Sequence, residues 1–528
     1  MWNAFLQWGD LLRNHAPHLF LFFYMFVNVK WLAINRVASR YKPYESATKK
    51  RPVHIQPRAG AGYEPLRASF IIPVVDEPLE LFRRVLNGVT NRLKVGLDEV
   101  IVVINGPRNE LLEAVCQEYR GVQFVHRELP GKRGAVMQGV HMSRGNVIVL
   151  VDSDTIARKD AVDNLLKPFE DIRIGGVTTF QTIYDRNRGR WWTLGSILRR
   201  FADWMEDVRA GPYGSMRATS VLGTVGCLPG RMIAFRRHIL LDHEEQFLGR
   251  DKKGWFLGFF NPVSDDRDLT NATLKAGYRT ILQSTAHVQT DAPMSLRVFW
   301  KQQLRWSRGS QYNTLRMIPH MLAHPRLWFL AFVYIADIIV PFWWFGTLAN
   351  TLWKTLVKPP ESYSSGPWWL QITLVSVGML ASAAIRNFPH LWRYPQDALF
   401  LPLYIILLST LLTPIRVIGF FQLAKDAGWG TRAGANEAVK TRNYKRGVPW
   451  ILGALILGGF CIAGPLLETR ELFLKEVNIH QTEIIIVAAA FLPTLMISTW
   501  TRRSIRRRLD ARAVRSQDLR PQGRHWRG

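Results

Sequence analysis

Apolar runs long enough to cross hydrocarbon stand on both sides of a polar block, and this arrangement restricts the fold more than any other feature of the chain. Hydrocarbon about 30 Å thick is spanned by roughly 20 mostly apolar residues in a helix. The first run, Pro17 to Ile34 (PHLFLFFYMFVNVKWLAI), is strongly aromatic and lacks the small-residue cleavage site of a signal peptide, so it reads as a retained span. Lys30, Arg36, Arg40, Lys42, Lys49, Lys50 and Arg51 follow, which puts the N-terminus outside and the polar block in the cytoplasm. Four further runs lie beyond residue 325: Leu327–Thr351, Trp368–Ile385, Trp450–Leu467 and Glu483–Trp500. A shorter one, Ala398–Leu412, leads through Pro414 and Arg416 into an amphipathic stretch ending at Leu423, which suits an interfacial or broken helix. Five spans then return the tail, with ten Arg against two Asp over 502–528, to the cytoplasm. A full crossing by Ala398–Leu412 would put that tail outside, against the charge rule.

Composition narrows the class further. The mean hydropathy of −0.04 averages the apolar ends with an ordinary polar middle, and 48% hydrophobic residues exclude intrinsic disorder. Three cysteines (Cys116, Cys227, Cys461) lie far apart and make no disulfide framework. The net charge is +28, from 69 Lys and Arg against 41 Asp and Glu. Its basic residues are spread over juxtamembrane segments and the tail, with no aromatic-interleaved module, so the expected partner is membrane lipid and not nucleic acid.

Within the polar block, Ala68–Val75, Glu99–Ile104 and Asn146–Asp152 are continuous β-branched runs of the kind buried on both faces of a parallel sheet. Leu79–Arg92 and Asn109–Arg120 between them have helical periodicity, so the block reads as a doubly wound α/β sheet. Ligands of such sheets bind beyond the carboxyl ends of the strands. Asp76-Glu77, Asn105-Gly106-Pro107 and Asp152-Ser153-Asp154 fall at those ends.

Several motifs carry chemistry, each with a simpler alternative. Asp152 and Asp154 can jointly serve a hard divalent cation, which would neutralise a diphosphate; a polar strand end or N-cap fits the same residues. Asp265-Asp266-Arg267 fits a general base, because a neighbouring carboxylate resists ionisation, and equally fits a capping cluster with a local ion pair. Gln302-Gln303-Leu304-Arg305-Trp306 could set a guanidinium on phosphate and an indole under a sugar, or lie on a membrane surface. Pro130-Gly131-Lys132-Arg133-Gly134 lacks P-loop spacing. His287 reads as structural more readily than as a metal ligand, and Cys227 as a small buried residue.

In order and spacing these motifs resemble the processive family-2 glycosyltransferases: hyaluronan synthase, chitin synthase and rhizobial chitooligosaccharide synthase. The likeness covers about residues 68–435. Its elements are D-x-D at Asp152–Asp154, G-C-L-P-G at Gly226–Gly230, D-D-R-x-L-T at Asp265–Thr270, Q-x-x-R-W at Gln302–Trp306 and W-G-T-R at Trp429–Arg432. The resemblance implies a membrane-embedded, inverting enzyme that polymerises sugar units from a UDP-sugar donor onto a growing polysaccharide acceptor, with Mg2+ or Mn2+. The fold expected is an α/β GT-A cytosolic domain, a doubly wound mixed sheet, plus an α-helical transmembrane domain with interfacial helices. The divisions expected are residues 1–51 (first span and basic segment), 52–290 (GT-A domain), 291–325 (interfacial helices with Q-x-x-R-W), 326–500 (channel region, its gating loop near 424–447) and 501–528 (cytosolic tail).

Carried over residue by residue, Asp154 holds the metal on the diphosphate, with Asp152 nearer the nucleotide. Asp266 matches the base that deprotonates the acceptor hydroxyl. Asp76, Glu77, Asn105, Lys132 and Arg305 fall on the nucleotide-sugar side. Gly226, Cys227, Leu228, Gln302 and Trp306 fall on the acceptor side, and Trp429, Thr431 and Arg432 on the gating loop. Ile104-Asn105-Gly106-Pro107 departs from the usual Asp-Gly-Ser, Val75-Asp76-Glu77 from Tyr-Asn-Glu, and one N-terminal span stands where hyaluronan synthases usually have two. These departures bear on hyaluronan as product more than on glycosyl transfer. A non-processive transferase is the main alternative. A transporter is disfavoured because the spans hold no acidic residue of an ion path apart from Asp337.

Overall fold

The structure, a computed structural model, describes residues 17–45, 52, 54–56, 62–94, 98–186, 192–251, 260–261, 263–357, 382–424 and 447–460, with side chains except over 17–22 and 347–357. The W-G-T-R segment, the expected span Glu483–Trp500, the tail, and parts of Trp368–Ile385 and Trp450–Leu467 lie outside the described residues. Met1–Gly464 forms one unit; the second, Pro465–Gly528, also lies outside them.

Eight strands make one mixed sheet: β1 (Ala68–Val74), β2 (Glu99–Asn105), β3 (Val122–Arg127), β4 (Val147–Val151), β5 (Ile156–Ala157), β6 (Ile174–Ile183), β7 (Met232–Arg236) and β8 (Arg279–Thr290). Their order is β3-β2-β1-β4-β7-β6-β8-β5. The first four in that order run parallel, as the β-branched runs predict. Beyond them β7 runs antiparallel to both β4 and β6, so the sheet is mixed.

Both faces of the sheet are covered, which is why its strands carry no polar alternation. Phe70, Ile72, Val100, Val102 and Ile104 pack against helices α2 (Leu79–Thr90) and α3 (Glu110–Gln117). Ile71, Ile101 and Val103 pack on the other face against α4 (Lys132–Met142). Each such side chain contributes roughly 1.5–3 kcal/mol on burial.

One register pair decides where the site forms. Met232, the first residue of β7, stands opposite Val151, the last of β4. The segment entering β7 therefore meets the Asp152–Asp154 segment leaving β4, and the Asp152 amide donates to the Arg231 carbonyl at 2.9 Å.

Helix α5 (Leu194–Ala210) covers β6, and α6 (Asp265–Lys275) opens with Asp265, Asp266 and Asp268 in its first turn, where carboxylates complement the helix dipole. Helix α7 (Leu296–Ala323) crosses α6 closely enough that a Cβ on Gly309 would come within 2.5 Å of the Ser264 side chain. Arg267 donates to the Ser310 carbonyl (2.7 Å) and to Thr314 Oγ1 (2.9 Å), and Asn271 to the Asn313 carbonyl (3.1 Å). The Q-x-x-R-W turn is thereby fixed beside the acidic turn of α6.

Two helices among the described residues are long and apolar enough to cross a membrane, Pro325–Gly346 and Pro395–Phe421. The first leads into and forms much of α8 (Trp328–Val357). The second departs from the sequence reading, which stopped the apolar run at Leu412. Its helical path continues because a π turn over Leu408–Leu412 precedes Pro414 and absorbs the missing N–H. With this helix long enough to cross, counting spans no longer fixes the side of the tail. The N-terminal helix α1 (Pro17–Ala38) packs on α8, with Lys30 paired to Asp337, and also against the helix Ser215–Leu222 of the sheet domain.

Asp268 locks α6 to the sheet domain. It is 1% exposed and takes Arg133 at 2.7 Å and Arg316 at 3.0 Å, with His243 at 3.6 Å. Burial opposes its ionisation, but those cations hold its pKa far below the usual carboxylate range. Asp268→Asn would leave two buried guanidinium groups short of a counter-charge, a loss of about 3–5 kcal/mol. A markedly lower melting temperature of the purified protein is expected; an unchanged one would show that the network does not hold α6.

Candidate active site

A cavity of about 720 Å³ opens at the carboxyl edge of β1, β2 and β4 and extends between α1, α8 and the Pro395–Phe421 helix. Its sheet end is lined by Asn105, Lys132, Asp152, Asp154, Asp265 and Asp266, and Arg305 and Trp306 of α7 face it.

Lys132 organises this end. Asn105, the last residue of β2, accepts the Gly131 amide through its Oδ1 at 3.1 Å, which fixes the turn into α4. Lys132 Nζ then lies 2.7 Å from Asp152 Oδ1 and 3.2 Å from Asp265 Oδ2. Burial works against its charge, but the two carboxylates more than restore it, and the ammonium pKa is raised. At Asp265 burial opposes ionisation, yet Lys132 and Arg133 pull its pKa below the ordinary value. At Asp152 burial prevails over the pull of Lys132, Asp154 adds to it, and the pKa is raised.

Asp266 turns away from Lys132 into the cavity. Its Oδ1 accepts Ser264 Oγ (3.0 Å) and the Arg267 amide (2.8 Å), and its Oδ2 lies 3.8 Å from Cys227 Sγ. Burial pushes the Cys227 thiol up to about 12, so it stays protonated beside the carboxylate. Arg305 is half-buried on the cavity wall; burial lowers its pKa, and the charges of Asp265, Asp152 and Asp266 act the other way. Trp306 keeps 37% of its surface exposed.

The expected site residues divide by position. Asn105, Lys132, Asp152, Asp154, Gly226, Cys227, Asp266, Gln302, Arg305 and Trp306 all line the one cavity. Glu77 does not; it is buried and accepts Ser153 Oγ at 2.8 Å, bracing the D-x-D turn from behind. Asp76 is exposed on the same loop, outside the cavity lining. Leu228 is fully buried in the core between sheet and helices, its amide donating to Thr270 Oγ1 at 3.0 Å, so its side chain does not reach an acceptor. Trp429, Thr431 and Arg432 lie outside the described residues.

Arg231 joins the site without having been expected there. Its guanidinium lies 3.7 Å from Asp154 Oδ1 and about 6.0 Å from the centre of the Trp306 ring. A search along the exits of parallel strands passes over it, because it stands at the entrance of the antiparallel β7. The signal available was the Arg that follows Gly226–Gly230 directly.

Two histidines stand where a metal ligand could be suspected. His287 sits between Arg158 (3.0 Å) and Thr182 (2.8 Å), and burial with the Arg158 charge lowers its pKa to about 4, so it is a neutral, hydrogen-bonded core residue. Asp203, Asp207 and His390 could by spacing hold an ion, but their ligand atoms are in use. His390 Nδ1 faces Asp207 Oδ2 at 3.0 Å and Nε2 faces Asp397 Oδ2 at 2.7 Å. Arg186 pairs with Asp203 and Asp397, and Arg393 with Asp207. A neutral imidazole has one N–H and cannot donate to two carboxylates, so His390 is an imidazolium and balances the cluster without a metal. Asp154 is a different case: it presents hard oxygen to the open cavity, beside cations suited to a diphosphate, and fits Mg2+ or Mn2+.

The cavity lies at the carboxyl edge of a mixed α/β sheet, with D-x-D at a strand end and a second carboxylate, Asp266, in its lining. Residues 66–309 match the profile of "Glycosyltransferase like family 2". The hyaluronan synthase of Streptococcus pyogenes is 28% identical over 392 residues, 70% of this chain and 86% of that protein. An N-acetylglucosaminyltransferase of Azorhizobium caulinodans is 30% identical over 258 residues, 47% of this chain and 60% of that protein. A mannosyltransferase of Pyrobaculum calidifontis, solved with GDP-Man and Mn2+, aligns with a TM-score of 0.48 at 16% identity, covering 77% of this chain and 98% of that one.

The His390 cluster has a pH signature. Burial lowers the imidazole pKa, but the hydrogen bonds to Asp207 and Asp397 outweigh it, leaving it raised. A raised folded value stabilises fully below the unfolded value of about 6.5, and this stabilisation is lost as pH climbs through the folded value. The stability of the wild type should fall as pH rises from about 6.5, by at most about 1.4 kcal/mol per pH unit, read as a falling melting temperature. His390→Gln should start lower and lose this component; an identical slope in the variant would contradict the assignment.

Proposed function

We propose that this chain is a membrane-embedded, inverting family-2 glycosyltransferase that takes UDP-sugar donors and extends a polysaccharide, passing the product along the cavity between its helices. The observation that carries this reading is the convergence on one cavity of Asp152 and Asp154, Lys132, Arg305, Asp266 and Trp306. A divalent cation on Asp154 would supply charge neutralisation for the leaving diphosphate.

The chain's own residues supply the rest. Asp266, in the cavity and free of an ion pair with Lys132, takes the proton of the acceptor hydroxyl. The acceptor oxygen bonds the anomeric carbon as the carbon–oxygen bond to the diphosphate breaks, and the electron pair leaves with UDP. Arg305 and Lys132 offset the charge gathering on that leaving group. Trp306 offers its exposed face to a sugar ring, and Arg231 bridges the space between that face and Asp154. The half-buried, protonated Cys227 leaves Asp266 as the base.

The test is a panel of UDP-sugars, singly and in pairs, offered to purified protein with Mn2+ or Mg2+ while UDP release and product length are followed. Polymer is expected from one donor or one pair, UDP-GlcNAc with UDP-GlcA being the pair for a hyaluronan-like product. Short, non-extending products would replace the processive reading with addition of one or a few sugars. Asp266→Asn should lower transfer by roughly 10²–10⁴-fold while UDP still binds; transfer at wild-type rate would remove Asp266 from the mechanism.

A further inference from the structure

The cavity has a second polar surface, away from the diphosphate side, that the reaction above leaves without a task. Gln181 of β6 is 1% exposed yet lines the cavity, as do Glu206 and Arg209 of α5. Arg209 pairs with Glu206 and donates to Gln181 Oε1 at 3.1 Å. Arginine can only donate, so this contact fixes which end of the amide is oxygen and leaves the Nε2 group as the end to be satisfied. That Nε2 has no hydrogen-bond partner among the described residues. A buried donor left unmatched costs about 1–3 kcal/mol, so it is retained where a ligand oxygen meets it. The arrangement lies near the base: the charges of Glu206 and Asp266 both act on the Arg209 guanidinium, and Arg209, Cys227 and Asp266 line the same cavity.

We propose that Gln181, braced by Arg209 and Glu206, is a binding shelf for the acceptor saccharide, its amide donating to a hydroxyl or carbonyl oxygen of the sugar that Asp266 deprotonates or of the next unit along the chain. The proposal rests on the reading that this cavity takes a saccharide acceptor. The shelf selects for a neutral oxygen: the Glu206–Arg209 pair is internally balanced, and the one group offered to the ligand is an uncharged donor. A carboxylate or phosphate would find no net positive charge there, so the shelf belongs to the sugar chain and not to the donor's diphosphate.

The probes are N,N′-diacetylchitobiose for the shelf and UDP for the donor side, each titrated into the full chain in lipid nanodiscs by calorimetry or saturation-transfer NMR. Gln181→Glu is the informative variant: one oxygen still accepts from Arg209, while an acceptor replaces the donor facing the ligand. Gln181→Leu, which also removes the Arg209 contact, is the second. Both should bind chitobiose about tenfold more weakly than the wild type, a change of about 1.4 kcal/mol, with UDP affinity unchanged. Chitobiose binding equal to wild type in Gln181→Glu overturns the shelf, as does a parallel loss of UDP affinity, and so does a wild type that does not bind the disaccharide. Turnover of UDP-GlcNAc by the wild type is scored separately. Its failure removes the donor assignment and leaves the binding comparison to decide on the shelf.

Discussion

Two adjacent cations at the start of one helix hold the site together. Carboxylates can be gathered below water-exposed depth only if positive charge comes with them, because the desolvation of an unpaired one exceeds what any single hydrogen bond returns. Lys132 reaches forward to Asp152 at the end of β4 and Asp265 at the start of α6. Arg133 reaches the other way to Asp268, one turn along α6. The two halves of the acidic constellation come from segments about 110 residues apart in sequence, and this pair of side chains keeps them in register. Asn105 contributes by fixing the turn that precedes them. The PGKRG segment, which superficially suggests a phosphate loop, is better understood as this clamp.

The clamp also divides labour between neighbouring carboxylates. Asp265 faces Lys132 and is held ionised; Asp266, the next residue on the helix, points elsewhere and sees a serine hydroxyl, a backbone amide and a protonated thiol. Successive positions on a helix are about 100° apart, so adjacent Asp residues at an N-terminus have different surroundings as a matter of geometry. The sequence alone left open whether Asp265-Asp266 was a cap or a catalytic pair. The two divide by position: Asp265 is a buried counter-ion of Lys132 in the first turn, and Asp266 is the less buried of the pair, although both line the cavity.

What could be read from the sequence followed the periodicity of its cause. The β-branched runs were legible because strands covered on both faces need them, and the D-x-D was legible because strand ends punctuate those runs. Gln181 was not, since nothing local distinguishes an amide in a buried strand whose partner is Arg209 on the following helix. Arg231 was hidden by strand direction, and Leu228 was expected on the acceptor side only because it shares a motif with Gly226 and Cys227, which do line the cavity. The His390 cluster pairs residues nearly two hundred positions apart, Asp207 with His390 having a separation of 183. Pro414 misled for a reason of local chemistry: it reads as a stop unless a π turn ahead of it takes up the lost hydrogen bond.

The cavity's far end explains why the sheet domain and the apolar helices belong to one chain. Lys30 of α1, Asp337 of α8 and Arg416 of the Pro395–Phe421 helix all line it, together with Trp344 and Tyr404. Charged residues within apolar helices are expensive unless they pair or face water. Here Lys30 and Asp337 do both, paired to each other on the wall of a space continuous with Asp266 and Trp306. The helices are therefore more than an anchor: their polar seam extends the site. The positive charge of the chain divides accordingly. The basic flanks of the apolar runs suit an anionic membrane surface, while Lys132, Arg231 and Arg305 are spent on carboxylates and the site they surround.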